Sequence, residues 1–183
     1  MRNFIITLFC LQALASVTCA QDNPAQLLKK HELIAKMVLD KRYPEFKIRS
    51  GSLRLNQDSL KGRVTFINFW FEACPPCQAE MDGLNALYQN MKDSVNFQFY
   101  SFTFESPATI KRLTKKGILL FPAYALSGDE TNTLSFGAGY PTNIIIDTQG
   151  IIRYFRAGGS RDKAEAARYI NTRIQPLIVS LLK

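Results

Sequence analysis

Cys74-Pro75-Pro76-Cys77 directly follows the apolar run Val64-Thr65-Phe66-Ile67-Asn68-Phe69-Trp70-Phe71. Two cysteines three residues apart, where a strand gives way to a helix, can close and reopen a small disulfide. Free backbone N–H groups and the positive end of the helix dipole stabilise a thiolate at such a helix start. Pro75 suits the first helical position, where no N–H is needed. Cys77 falls one turn along, so the two sulfurs can meet. These positions predict an exposed, nucleophilic Cys74 and a shielded, resolving Cys77. A thiol whose pKa falls from about 8.5 to about 7 goes from a few per cent thiolate at neutral pH to about half.

Attack by Cys74 on a partner disulfide gives a mixed disulfide, which Cys77 must lose a proton to resolve. Glu80, three residues beyond Cys77 on the same helix face, is the candidate acid for that proton. Its spacing fits equally an ordinary glutamate that complements the helix dipole. Tyr140-Pro141-Thr142 opens a late strand, which makes Pro141 either a cis proline or a simple loop-to-strand proline.

Other thiol chemistry fits less well. Zinc would need two further ligands. Of the four cysteines, Cys10 and Cys19 fall in a leader segment, and the single histidine, His31, sits between Lys30 and Glu32 on a predicted solvated helix face. No metal site and no cofactor is expected. A peroxide reductase would carry Thr three residues before its reactive Cys, and Phe71 holds that place. A purely structural staple across so short a loop gives little entropic stabilisation.

The leader consists of a positive start, Met1-Arg2-Asn3, an apolar stretch from Phe4 to Val17 too short to span a bilayer, and small residues at Thr18-Cys19-Ala20. It reads as a signal peptide over residues 1–20. A second reading makes Cys19 a lipid-anchored cysteine exposed by cleavage after Thr18, although Thr departs from the usual small residue there. Either reading places the mature domain outside the cytosol, in the periplasm or an equivalent compartment, with Cys74 and Cys77 as its only thiols. In such a place two free thiols oxidise.

Residues 21–43 read as a helical extension, with Leu27, Leu28, Leu33, Ile34, Met37 and Val38 at helical spacing. Residues 44–183 read as one domain. A short hairpin spans Phe46 to Leu55 around Gly51, followed by a turn to Gly62. Arg63 to Phe71 is a continuous apolar strand of the kind buried on both faces. A helix runs from Cys74 to about Met91, and a strand from Val95 to Phe104. A basic helix spans Pro107 to Lys116, and Leu119 to Leu126 is a strand or extended. Gly128 to Gly139 is a loop with a helical piece near Leu134. Thr142 to Asp147 and Ile151 to Phe155 form a hairpin. A final helix spans Arg161 to Leu182, with Ala164, Ala167, Ile170, Ile174, Leu177 and Leu181 inward. The strand-helix-strand order requires a parallel pair with a right-handed crossover, and the closing hairpin adds antiparallel strands. The result is an α/β fold: a mixed central sheet with helices on both faces.

The chain has 183 residues, 46% hydrophobic and 21% charged, and a formal net charge of +8. That composition is globular. The basic residues are scattered rather than blocked, which argues against nucleic-acid binding.

At several of these residues the chain resembles the thioredoxin superfamily, specifically the secreted TlpA/ResA-like thiol-disulfide oxidoreductases of Bacteroidetes type. The resemblance is carried by Leu60-Lys61-Gly62-Arg63-Val64, Asn68-Phe69-Trp70, Cys74-Pro75-Pro76-Cys77-Gln78-Ala79-Glu80-Met81, Phe121-Pro122, Gly139-Tyr140-Pro141-Thr142 and Ile146-Asp147-Thr148-Gln149-Gly150, and its Bacteroidetes type by Phe69-Trp70-Phe71-Glu72-Ala73-Cys74 and Ser101-Phe102-Thr103-Phe104-Glu105. It implies a thioredoxin fold, a nucleophile at Cys74, a resolving thiol at Cys77, a functional acid at Glu80 and a cis proline at Pro141 beside the pair. It also implies that the Tyr140 backbone pairs with an extended substrate strand. Asn68 stands where cytosolic thioredoxins carry a buried aspartate, so the proton role passes to Glu80. Three positions depart from the pattern: Ala73 for a tryptophan, Asp82 for a proline, and Tyr140 for a smaller residue.

The function this implies is reduction of protein disulfides outside the cytosol. The partners would be client proteins with disulfides or thiols, together with a membrane electron donor. The alternatives are a dithiol oxidant or isomerase, and a non-catalytic thioredoxin-like binding module.

Overall fold

The computed structural model describes residues 23–183. The leader, with Cys10 and Cys19, lies outside the described residues. Helix α1 (Pro24–Val38) leads to a hairpin of β1 (Lys47–Ser50) and β2 (Leu53–Asn56), then a 3-10 turn (Gln57–Leu60). The main body follows as β3 (Val64–Trp70), α2 (Pro75–Met91), β4 (Phe97–Thr103), α3 (Pro107–Lys115), β5 (Ala123–Ala125) and α4 (Gly128–Leu134). It closes with β6 (Thr142–Ile146), β7 (Ile152–Ala157), α5 (Lys163–Tyr169), a π-helical turn (Ile170–Ile174) and α6 (Gln175–Leu181).

Five strands form one sheet in the order β5-β4-β3-β6-β7. β3 pairs in parallel with β4 and antiparallel with β6, giving the mixed sheet expected from the element order. Every residue of β3 is buried, as befits a central strand covered on both sides. Its side chains alternate between two cores. Val64, Phe66 and Trp70 join Leu84 and Leu87 of α2 and Ile170, Ile174 and Ile178 on one face. Ile67 and Phe69 join Ile34, Leu60 and Leu134 on the other.

α2 packs closely on the C-terminal helical segment at Gly83. A Cβ there would lie 2.8 Å from Ile170 Cδ1 and 3.0 Å from the Cα of Ala167. Gly to Ala inside a helix ordinarily gains about 1 kcal/mol. Here the Ala167 backbone cannot rotate away, and overpacking costs about 1–3 kcal/mol. Gly83→Ala is therefore expected to lower stability. A urea melt in which the variant matches or exceeds the parent would count against this packing.

Several expectations are corrected. α1 buries Ile34 and Val38, but Leu28, Leu33 and Met37 of its apolar set are 60%, 52% and 65% exposed, because only one side of the helix meets the sheet. His31 is not a solvated residue: it is half-buried and its Nε2 lies 2.9 Å from the Ala138 carbonyl, since α1 lies against β7 and its neighbouring loops. The extended stretch before Leu126 shortens to β5, consistent with Pro122 having no N–H to give to a ladder. Gly128–Leu134 is a true helix, started by a capping box between Ser127 and Glu130. In the last helical segment Ala166, Ile170, Ile174 and Ile178 are buried and Ala164 is exposed. A π turn spans Ile170–Ile174, next to Pro176, which has no N–H to give to the Thr172 carbonyl.

Candidate active site

β3 is followed by a short loop, Phe71-Glu72-Ala73, and then by α2. Three contacts hold that loop. The Glu72 N–H donates to Glu105 Oε1 (2.8 Å), Gln78 Nε2 donates to the Glu72 carbonyl (2.7 Å), and Arg112 of α3 donates to the Glu72 carboxylate (2.7 Å). The bond from Arg112 keeps the Glu72 carboxyl below its usual range.

Cys74 is the N-cap residue of α2, and its sulfur accepts the Cys77 N–H at 3.2 Å. The first two helical positions are Pro75 and Pro76, so neither can offer an N–H to that sulfur. Cys74 and Cys77 are joined in a disulfide, with their Cα atoms 5.2 Å apart. Cys74 does not have the exposure expected of it. In the closed pair it is 3% exposed and Cys77 1%, and both sit within the core on the α2 side.

Glu80 lies on the same helix, 3% exposed. Asn143 Nδ2 of β6 donates to its Oε2 at 3.0 Å. Burial pushes its carboxyl up from 4.5 to about 7, while the Asn143 bond and the positive charge of Arg156 pull the other way. Pro141 precedes β6 with a cis Tyr140-Pro141 bond. Glu80 and Pro141 meet at Gly159: a Cβ on that glycine would lie 2.9 Å from Glu80 Oε1 and 3.4 Å from Pro141 Cγ. The fold thus brings Cys74, Cys77 and Glu80 onto one helix end, with Glu80 and Pro141 both beside Gly159.

Around this centre, Phe71, Phe104 and Tyr140 pack as a triangle with ring centroids 5.4 to 5.6 Å apart. Phe104 is 44% exposed. Tyr140 donates its hydroxyl to Thr131 Oγ1 at 2.8 Å. The bulk that sets Tyr140 apart from the family pattern is thus absorbed by aromatic packing on Phe71.

Three residues near Glu80 are not singled out by the sequence: Asn143, Arg156 and Gly159. Asn143 left a trace there, as a polar side chain inside the strand Thr142-Asn143-Ile144-Ile145-Ile146. Gly159 left none.

A sequence profile described as AhpC/TSA family matches residues 39–155. A thiol-disulfide oxidoreductase ResA of Bacillus cereus is 31% identical over 117 residues, which cover 63% of this chain and 67% of the relative. A thiol:disulfide interchange protein DsbE of Tatumella citrea is 31% identical over 134 residues, covering 69% of each. Among solved structures, a thiol:disulfide interchange protein of the thioredoxin family from Chlorobium tepidum superposes with a TM-score of 0.56 at 23% identity, covering 73% of this chain and 95% of that one. A thiol:disulfide interchange protein from a Bacteroides species gives 0.55 at 19%, covering 73% and 91%. These superpositions identify the architecture as the thioredoxin fold.

Proposed function

Because the chain belongs to the AhpC/TSA family, we propose that its Cys74/Cys77 couple reduces disulfides of client proteins outside the cytosol. It is a thiol-disulfide oxidoreductase of the thioredoxin superfamily. The observation that carries the site assignment is the Cys74–Cys77 disulfide at the start of α2, with the buried Glu80 one turn further on.

In the forward direction the reduced enzyme presents Cys74 as thiolate. Its sulfur attacks one sulfur of the client disulfide, a Cys74–client bond forms, and the client's other sulfur leaves as thiolate. Glu80 takes the proton from Cys77. The Cys77 thiolate then attacks Cys74 sulfur, the Cys74–Cys77 bond closes, and the second client sulfur departs. Two electrons pass from enzyme to client, and a membrane electron donor must return them. Pro141 leaves the Tyr140 backbone to pair with an extended client strand.

Two features favour the reducing direction. A dithiol couple is a strong oxidant when its reduced form is stabilised. Here prolines occupy the first two positions of α2, so Cys74 sulfur faces one N–H donor where a helix start can offer several. The carboxylate of Glu80 close by further disfavours a second negative charge on sulfur.

The leader over residues 1–20 and the absence of other thiols from residues 21–183 support the extracytoplasmic placement. On this reading residues 21–43 are an extension and 44–183 the thioredoxin domain, and Cys19 is the point of attachment if the protein is lipid-anchored.

Equilibration of the couple with glutathione tests the direction. We expect a potential near the thioredoxin end of the range, about −270 to −200 mV. A value near about −120 mV would make the protein an oxidant. Insulin reduction separates both from a binding module, which would show no turnover.

A further inference from the structure

Below α2 the sheet carries a row of polar side chains in an otherwise apolar core. Strand register sets Asn68 of β3 opposite Ser101 of β4 on one side and Asn143 of β6 on the other, and Asn143 opposite Arg156 of β7. The first three are nearly or fully buried, at 0% for Asn68 and Ser101 and 3% for Asn143, among Phe66, Phe99 and Ile145. They are linked end to end. Trp70 Nε1 donates to Ser101 Oγ at 2.7 Å, Ser101 Oγ to Asn68 Oδ1 at 3.4 Å, Asn68 Nδ2 to Asn143 Oδ1 at 2.8 Å, and Asn143 Nδ2 to Glu80 Oε2 at 3.0 Å.

The ends of this chain fix its direction. An indole N–H can only donate, and an ionised carboxylate can only accept. Each group between them receives one bond and passes one on. Turning over Asn143 would set its N–H against that of Asn68 and its oxygen against the Glu80 carboxylate, and turning over Asn68 would set its oxygen against that of Asn143. A buried chain aligned in this way polarises along its length toward the carboxylate.

We propose that Trp70, Ser101, Asn68 and Asn143 are positioning residues for Glu80, a one-way relay that holds Oε2 as a permanent acceptor. Oε1 is then the single oxygen through which Glu80 takes up and releases its proton. The proposal rests on the reading of Glu80 as the acid that serves Cys77.

The geometry separates the two oxygens. A proton on Oε2 would point at the N–H of Asn143, so it resides on Oε1. Oε1 faces Gly159, where even a methyl group would come within 2.9 Å. That glycine is what leaves the proton-carrying oxygen uncovered. The ionisable groups around Glu80 are few. Cys74 and Cys77 lie on its own helix. From β7 come Arg156, stacked 3.7 Å over the Tyr169 ring, and Tyr154, whose hydroxyl pairs with that of Tyr169 at 2.9 Å. Burial pushes Tyr154 up, so it stays a neutral phenol. From the other side, His31 of α1 lies against Gly158, the neighbour of Gly159.

The test is an NMR titration of the Glu80 side-chain carboxyl carbon in the oxidised protein, where the cysteines cannot titrate. Asn143→Leu keeps the volume and removes the donor. Its midpoint is expected to move to higher pH by about tenfold in proton affinity, since the carboxylate loses its one hydrogen bond. Ser101→Ala breaks the relay two links away and is expected to move the midpoint the same way, by about twofold. Ser101→Thr keeps the hydroxyl and is expected to leave the midpoint close to that of the parent. A Ser101→Ala midpoint equal to that of the parent or of Ser101→Thr overturns the proposal, and this comparison decides alone if Asn143→Leu does not fold. The readout is the carboxyl itself, so the relay can fail here while disulfide exchange by Cys74 stands, or the reverse.

Discussion

Replacing Cys74 with serine is expected to abolish disulfide exchange, while replacing Cys77 leaves a protein that attacks once and stalls. The difference follows from position. Cys74 caps α2 and its sulfur already receives the Cys77 N–H, so in the reduced state it is the sulfur with a donor available for its negative charge. Cys77 is inside the first turn and 1% exposed even among buried neighbours. A serine hydroxyl at position 74 cannot attack a disulfide at neutral pH, because its oxygen stays protonated. With Cys77→Ser the first bond forms and nothing displaces the client. The measurements are insulin reduction for Cys74→Ser, expected at the uncatalysed rate, and mass spectrometry of Cys77→Ser after incubation with a disulfide peptide, expected at the mass of the adduct. Turnover by Cys74→Ser above background would remove Cys74 from its role. In the reduced parent, alkylation at pH 7 should label Cys74 before Cys77, and equal rates would contradict the assigned order of attack.

Glu80→Gln is expected to slow release and, at the same time, to stabilise the folded protein at alkaline pH. Burial holds the carboxyl at about 7 in the folded state against an ordinary value of 4.5. Between those values the folded protein keeps a proton that the unfolded chain has released. The contribution to folding is complete below about pH 4.5 and is lost as pH rises through 7. At about 1.36 kcal/mol per pH unit the gap corresponds to about 3 kcal/mol. Glutamine carries no charge to bury, and its carbonyl can still accept from Asn143. We therefore expect Glu80→Gln to exceed the parent in stability at pH 8 by up to about 3 kcal/mol, with the two converging toward pH 4.5. Its resolving step should fall about 100-fold, the lower range for loss of a positioned acid or base. Urea melts at both pH values and single-turnover release of a thiol peptide give the two readouts. A variant less stable than the parent at pH 8 would show that the carboxylate is solvated rather than buried. Release at the parental rate would move the proton step to another group.

These two effects have opposite signs at one residue. On the proposed reading, the buried acid that weakens folding as it ionises is the one that serves Cys77.

Much of this site could be read from local sequence. The run Val64 to Phe71 is continuous and apolar, which marks a strand covered on both faces. The cysteine pair follows immediately, with a proline at the first helical position. Period and capping rules act over a few residues, so they act in the isolated sequence as they do in the fold. The capping box of Ser127 and Glu130 is equally local, and it starts a helix where apolar periodicity alone suggests a loop with one helical piece. The last helix shows an error of phase: Ala164 reads as inward, but Ala166, four residues before the buried Ile170 and on its face, takes that place.

Residue types and spacing alone mark the redox pair, its place at a helix start, and an acid one turn beyond it. The environment that sets their chemistry arises only on packing. Asn68 meets Ser101 and Asn143 across gaps of 33 and 75 residues, because strand register is settled by long-range burial of the alternating apolar side chains. That register aligns the donors on Glu80, and the same burial raises its pKa. Position along the chain names the groups that can carry a proton or a thiolate. Desolvation and hydrogen bonding, which exist only once the sheet and helices have packed, decide at which pH they do so.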